Sequence, residues 1–445
     1  MIALCCRCDT VSVVIPAGNE SARPAEGLSA PKVPADAVRN PAQVSFSLLE
    51  PVADAAMTYF YAQLFAMDTE IRAMFPAAMD LQRRRFFEAL GRNADAQQSQ
   101  ADHDRLVPYL QELGRAHRKF GVRDRHYEVF RRALLATLQR FAAPRWNETA
   151  KHAWEMAYNR AATIMIEAAK DDAAESPAWW IATVTAIELR GPDVAVLTLQ
   201  PEEPLNYLPG QHISVQTPHW PRLWRTYSIA NVPRSDGLLR LHVRAVTGGL
   251  VSPALVHQVR AGDPLVLGAP AGAMIADTQS ERDVLCLAGG TGLAPVKAII
   301  EALITAPDPG RHREIVLYYG ARRHQDLYDL PALREMELIY PWLQVIPAVS
   351  DEPAHGHDIM HGTIPDLAAK ATWADRDVYI SGPDHMIVKT ARVLRERGAP
   401  TASSTTTWPP KGMSRTSSGA CRRTRRSATR HPRPRPCRTA AAPAR

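Results

Sequence analysis

The densest run of chemically useful side chains in this 445-residue chain is Trp224-Arg225-Thr226-Tyr227-Ser228-Ile229-Ala230-Asn231. Strand side chains repeat every two residues, so Arg225 and Tyr227 share one side. A guanidinium there can take a pyrophosphate bidentately while the phenol ring lies against an isoalloxazine. Ser228, on the other side or at a kink, can bond that ring. An ordinary barrel strand carries the same residues, so the neighbouring sequence has to decide. In His242-Val243-Arg244-Ala-Val-Thr-Gly-Gly249-Leu-Val251-Ser252, two glycines precede a serine at an expected helix start. Backbone N–H groups left free there can cradle flavin phosphate oxygens; a plain glycine hairpin is the alternative. Gly289-Gly290-Thr291-Gly292 follows an apolar run, Val284–Ala288, and precedes a helix expected from about Pro295. That is the context in which a pyrophosphate sits on a helix N-terminus at the edge of a parallel sheet. Arg322 and Arg323 leave the end of the next strand, where they meet either a 2′-phosphate or water. His117 stands just before Gly121, where a helix should stop. A neutral imidazole there can bind a metal through one nitrogen while the other is held by a neighbour; ordinary core packing is the alternative.

The elements that must carry these residues change in kind along the chain. From Ser45 to Lys170 helix formers dominate, with breaks at Phe75-Pro76, 95–104, 121–124 and Ala143-Pro144. Met57, Tyr61, Leu64 and Phe65 recur at helical spacing, as do Gln82, Phe86 and Leu90. Residues 41–172 should form an all-α domain and 173–178 a linker. Residues 179–278 carry short strands separated by Gly and Pro and should close an antiparallel β-barrel. Residues 279–400 alternate strand and helix, as an α/β domain with a parallel sheet does. Residues 1–40 should be an unfolded leader or sequence upstream of the true start. Residues 401–445, rich in Thr, Ser, Arg and Pro, should not fold; they look like a shifted reading frame or a basic tail.

Composition limits the classes of function. A length of 445 residues suggests roughly three domains, and 46% hydrophobic content is enough to give each a core. The formal charge is +7, but residues 401–445 hold ten Arg, one Lys and no acid, so the remaining residues sum to −4. The body is mildly acidic and offers no basis for nucleic-acid binding. No apolar run approaches the roughly 20 residues needed to span a bilayer. Cys5, Cys6, Cys8, Cys286, Cys421 and Cys437 show no paired spacing across the body, and the start lacks a secretion signal. A reducing cytoplasm is the expected compartment.

Phe60-Tyr61-Ala-Gln-Leu-Phe65, Met74-Phe75-Pro76, Leu113–Val122 around His117, and Tyr127 together resemble the globin domain of the flavohaemoglobins. Tyr207-Leu-Pro-Gly-Gln211 precedes the Arg225 strand at the interval seen in the ferredoxin-NADP reductase superfamily. Val378–Met386 is similar to that superfamily's Cys-Gly-Pro turn beside the nicotinamide, with Ser381-Gly382-Pro383 here. The resemblance implies haem b, FAD and NADPH or NADH as cofactors. It makes His117 the proximal haem ligand, Phe75 the aromatic packed on the porphyrin, Tyr61 the distal hydroxyl bonding dioxygen, and Gln82 a second distal group. It implies Tyr127 and a glutamate as the pair that polarises His117. The interval from His117 lands on Glu167, whereas anchoring on Trp154 and Tyr158 lands on Ala169. Thr226 stands where the family often has Pro, and the closing strand is missing. The implied activity is electron transfer from NAD(P)H through FAD to a haem that oxidises nitric oxide to nitrate with dioxygen. The rival is an FAD-dependent reductase whose helical domain is a sensor or partner-binding module.

Overall fold

The computed structural model describes residues 11–15, 40–76, 79–95, 100–306, 312–353, 358–398 and 403–404. The first described segment departs from expectation. Val11–Ile15, inside the stretch expected to be unfolded, forms strand β1 and belongs to the last sheet of the chain. The rest of the leader, with Cys5, Cys6 and Cys8, lies outside the described residues, as does the tail apart from 403–404.

The all-α domain runs α1 (Pro41–Ser47), α2 (Ala53–Met67), α3 (Thr69–Arg72), α4 (Asp80–Asp95), α5 (Gln100–His117), α6 (Asp124–Phe141) and α7 (Glu148–Glu175). Local chemistry sets several ends. Asn40 caps α1 through Oδ1, 2.7 Å from the Ala42 N–H. Gly121, at φ +71°, supplies the left-handed residue that stops the chain after α5. Asn147 Oδ1 accepts the Ala150 N–H at 2.8 Å and starts α7. The interior is aromatic, with Phe60, Phe86, Phe130 and Trp154 fully buried. The Trp154 indole N–H donates to Ser45 Oγ at 2.8 Å, joining the first helix to the last. Two boundaries differ from expectation. α5 begins at Gln100, inside the expected 95–104 break, and α7 continues to Glu175, so the first positions of the expected linker are helical.

The antiparallel sheet holds β2 (Trp180–Leu189), β3 (Val194–Pro201), β4 (His212–Gln216), β5 (Arg225–Ser228), β6 (Leu239–Arg244) and β7 (Pro264–Leu267), in the order β5-β4-β7-β2-β3-β6. A bridge between Ile229 and Leu241 joins the two edges, so the sheet closes on a core of Val184, Leu197, Ile213, Leu241 and Leu265. Helix α8 (Val251–His257) covers one end.

The α/β domain places β8 (Asp283–Gly289), α9 (Leu293–Thr305), β9 (Ile315–Ala321), α10 (Leu330–Ile339), β10 (Leu343–Val349), β11 (Met360–His361), α11 (Ile364–Ala368), β12 (Arg376–Gly382) and α12 (Asp384–Glu396) around one sheet. Its order is β11-β10-β9-β8-β12-β1-β13, with β13 at Ser403–Ser404. The pairings from β11 to β12 are parallel, whereas β1 runs antiparallel to β12, Val11 opposite Gly382 and Ile15 opposite Val378. The chain order reverses between β8 and β12. That is the place where an open α/β sheet leaves a crevice for a ligand. The edge of β12, expected to be bare for want of a closing strand, is covered by β1 and then β13.

Candidate functional site

In the helical domain, the predicted distal residues come together. Tyr61 on α2 packs against Phe75 with ring centroids 5.6 Å apart and against Phe65 at 5.8 Å, both within a buried aromatic cluster. Gln82, near the start of α4, is buried and faces the Tyr61 hydroxyl. Burial pushes the Tyr61 phenol far above its ordinary value, and Gln82 offsets only a little of that. Neither the Tyr61 hydroxyl nor the Gln82 amide nitrogen completes a hydrogen bond of acceptable geometry. Two buried donors left without acceptors normally cost stability. Their placement suits a pocket where a polar ligand supplies the acceptor.

His117 closes α5 and is 1% exposed. Its Nδ1 lies 2.5 Å from the Leu113 carbonyl oxygen, one turn back. A carbonyl can only accept, so Nδ1 carries the proton and the lone pair is on Nε2, the tautomer a metal-binding imidazole needs. This residue set fits a haem. Tyr127 is buried on α6, and burial, aided by Asp124, pushes its phenol well up. The Tyr158 hydroxyl donates to the Tyr127 carbonyl at 2.7 Å, a brace from α7 that sequence spacing alone did not assign. Glu167 is exposed. It lines a surface cavity of about 460 Å³ with Val107, Gln111 and Arg115. The buried face of α7 carries Tyr158, Ala161, Ala162, Met165 and Ala168, and position 167 points away from it. The expected pairing of Glu167 with Tyr127 behind His117 is therefore not formed; Ala169 has no carboxylate to offer in its place.

On the antiparallel sheet, Arg225 and Tyr227 are both half-buried on β5, with Thr226 buried between them, as the alternation predicts. The Arg225 guanidinium donates to the Trp224 carbonyl at 2.9 Å. Tyr207 is buried and its hydroxyl accepts from Asn231 Nδ2 at 3.1 Å. Asn231 also donates to the Val232 and Leu238 carbonyls and accepts the Arg240 N–H at 2.7 Å. It holds the exit of β5 against β6. Its role was invisible in sequence, although it ends the quoted stretch. Val243 and Val251 are core residues, so only their backbones can face a ligand. Arg244 ends β6 beside Asp193 at 3.6 Å, and Gly249 and Ser252 lie where the chain enters α8. Ser252 Oγ accepts the Val246 N–H at 3.1 Å, and a Cβ on Gly249 would come 2.9 Å from the Val246 carbonyl oxygen. The tightness of this turn requires that glycine.

In the parallel sheet, Gly289 ends β8 and Gly290-Thr291-Gly292 make a single 3₁₀ turn into α9, which starts two residues before the expected Pro295. Gly290 has φ +55°, and a Cβ on Gly292 would overlap the Ser381 carbonyl. The glycine turn and Ser381-Gly382-Pro383 are thus in contact at the reversal point between β8 and β12. Ser381 is fully buried, and Pro383 precedes the first turn of α12. Arg322 and Arg323 are exposed just past the end of β9. Sequence reasoning missed a polar cluster where the two sheets meet. His242 Nδ1 lies 2.8 Å from the Tyr328 hydroxyl, and Lys297 Nζ 2.6 Å from Asp329 Oδ2, all buried. Burial lowers the His242 pKa to about 3.

Comparison with known proteins agrees with this division. Family models match at residues 58–165 (Globin), 182–275 (Oxidoreductase FAD-binding domain) and 286–392 (Oxidoreductase NAD-binding domain). A flavohemoprotein of Bordetella bronchiseptica is 29% identical over 297 residues, 63% of this chain and 73% of that protein. The xylene/toluene monooxygenase electron transfer component of Pseudomonas putida is 34% identical over 161 residues, 36% of this chain. The match spans about half (45%) of that relative's length. The flavohemoglobin of Malassezia yamatoensis, solved with FAD and heme, superposes with a TM-score of 0.65 over 81% of this chain and 96% of its own, at 17% identity, and so shares the fold. A globin domain, an FAD-binding domain and an NAD-binding domain thus follow one another in this single polypeptide, the arrangement of a flavohaemoglobin with its reductase module.

Proposed function

We propose that the protein passes electrons from NAD(P)H through FAD to a haem and uses them to oxidise nitric oxide to nitrate with dioxygen. The observation that carries this reading is the buried Tyr61 hydroxyl facing the Gln82 amide, with neither Tyr61 Oη nor Gln82 Nε2 in a hydrogen bond of full geometry, packed beside Phe75 and Phe65. Such donors are what a small, partly anionic oxygen ligand would accept from. When bound, the three cofactors supply hydride acceptance, division of an electron pair and dioxygen chemistry that side chains lack.

The chain's own residues then have separable tasks. His117 would hold the haem iron through Nε2, and the Leu113 carbonyl fixes the ring and raises its basicity. Tyr61 and Gln82 would orient the distal ligand, and the aromatic wall excludes water. Tyr127, buried in the domain core and braced by Tyr158, gains no carboxylate partner from the exposed Glu167. Arg225, Tyr227 and Ser228 on β5, with Tyr207, Arg244, the backbones of Val243 and Val251, Gly249 and Ser252, would seat FAD. Gly289, Gly290, Thr291, Gly292 and Ser381-Gly382-Pro383 would take the nicotinamide nucleotide in the crevice they form. Arg322 and Arg323 are the cations available to a 2′-phosphate, which favours NADPH. A cytoplasmic setting is consistent with the free, buried Cys286, and among the described residues no helix is long and apolar enough to cross a membrane.

The test is spectroscopic. Purified protein should show a Soret band and flavin absorbance. Anaerobic NADPH or NADH should bleach the flavin and then shift the haem to its ferrous spectrum, and the reduced protein should convert nitric oxide to nitrate in air. His117→Ala should lose the Soret band and keep the flavin; an unchanged haem spectrum in that variant would refute the ligand assignment. A flavin-loaded but haem-free preparation would leave only a reductase.

A further inference from the structure

The single turn between His117 and Gly121 reaches out of the helical domain and onto the FAD-binding sheet. Lys119 Nζ donates to Ser214 Oγ on β4 at 2.7 Å and sits 5.1 Å from the Trp224 ring and 5.3 Å from that of Phe120. The Phe120 ring meets Trp224 edge-on at 6.2 Å and lies 6.3 Å from the His117 imidazole. Trp224 immediately precedes Arg225 and accepts its guanidinium through its carbonyl. Ring contacts therefore run from the imidazole to Trp224, and the Trp224 carbonyl continues them to the guanidinium of Arg225. The Lys119 stem lies over Gly268, where a Cβ would come 3.2 Å from Lys119 Cδ, so the seat is shaped to the lysine. Arg118, between them, pairs with Asp172 and donates to the Ser176 carbonyl at 2.6 Å, anchoring the same turn to the end of α7 where the chain leaves the domain.

We propose that Lys119 and Phe120 are positioning residues that dock the globin domain on the FAD-binding sheet and set the gap electrons cross between the two redox groups. The proposal rests on the flavohaem reading above and adds a structural control to it. Small polar interfaces between domains of one chain move by default, and transfer between redox groups falls steeply as their separation grows. A turn that carries His117, which would hold the haem, at one end and grips the neighbouring domain with the next residues would convert domain docking into a fixed separation. The grip suits that task. An ammonium shared between a hydroxyl and two aromatic faces is directional and, being partly desolvated, less screened by salt than an exposed ion pair.

The experiment uses the full chain with Lys119→Ala, Lys119→Arg and Phe120→Leu. Haem and flavin content, flavin bleaching by NADPH, and ferricyanide reduction report whether each domain is intact. Haem reduction, trapped with carbon monoxide, reports transfer between them. Cleavage by a nonspecific protease at the 176–179 connection reports docking without any redox chemistry. Lys119→Ala and Phe120→Leu should slow haem reduction by about tenfold while ferricyanide reduction stays within about twofold, the kind of loss that follows when two partners are no longer held in one placement. They should also be cut faster, and Lys119→Arg should recover most of both. Wild-type rates of haem reduction and cleavage in Lys119→Ala, at full haem and flavin content, would overturn the proposal. A wild-type protein that reduces its flavin but never its haem would instead overturn the flavohaem reading, and cleavage of the variants would still decide the docking.

Discussion

Tyr61 shows how a single residue can be poor for folding and suited to function. Its hydroxyl lies in an apolar cluster with no completed hydrogen bond, a situation that costs roughly 1–3 kcal/mol. Tyr61→Phe should therefore stabilise haem-free protein by about 1 kcal/mol in urea denaturation. In the loaded protein it should speed oxygen dissociation by about tenfold, since one lost hydrogen bond to a charged acceptor is worth about 1.4 kcal/mol or more. A variant that weakens the apo fold would show that the hydroxyl is satisfied after all. Glu167 gives the opposite case. It lies exposed on α7 beside Arg115, so Glu167→Gln should leave the ferric and ferrous haem spectra unaltered; a shifted Soret band would place it in the proximal shell. The burial of Tyr61 was legible because Met57, Tyr61, Leu64 and Phe65 recur at helical spacing, whereas the roles expected of His117 and Phe75 came from the family resemblance. Glu167 was misplaced because counting along a helix carries an error of one residue, which is a rotation of 100° and enough to move a side chain from core to water.

At the scale of elements, the crevice between β8 and β12 depends on two turns in contact. Gly292→Ala would drive a methyl group into the Ser381 carbonyl, and backbone cannot swing aside as a side chain can. Overpacking of that kind costs about 1–3 kcal/mol. The variant should lower the denaturation midpoint and weaken NADPH binding by titration while leaving the haem spectrum intact. Where β6 meets α9 and α10, His242 faces Tyr328, with Asp329, Lys297, Arg190 and Arg240 contributing to its field. Burial is the main cause of its low pKa, about 3, so the folded protein keeps it neutral while the unfolded chain protonates it near 6.5. Between those values the unfolded state binds more protons, and stability falls as the pH drops from about 6.5 towards 3. His212, lowered to about 4 by burial and by Lys119, acts in the same direction. Melting temperature followed from pH 7 to pH 4.5 should decline, and His242→Gln should flatten the decline. An identical slope in that variant would remove His242 from the account.

At the scale of the whole molecule, the unforeseen feature is the strand from the other end of the chain. β1 pairs along its full length with Val378–Gly382 of β12 and in turn carries β13, so the sheet edge expected to be open is paired. Val13 lies opposite Ile380 on one side and Ser404 on the other. Proline there removes a backbone donor from the ladder. Val13→Pro should lower the melting temperature of the flavin- and nucleotide-binding part and leave the Soret-monitored transition of the globin part where it was. Equal melting of both proteins would show that the strand contributes nothing to the sheet.

The amino-acid order alone determined the three kinds of domain, the period of each stretch and the positions of the imidazole, the arginine–tyrosine row and the glycine turns. These are properties of neighbours a few residues apart, set by helix and strand periodicity and by the conformations glycine permits. Only the tertiary structure decided that Val11–Ile15 borders β12, that His242 meets Tyr328, and that Lys119 reaches Trp224. Each of these joins residues from 86 to several hundred positions apart. Contacts at such separation depend on how whole elements pack in space, and no local pattern records which of many compatible surfaces will meet.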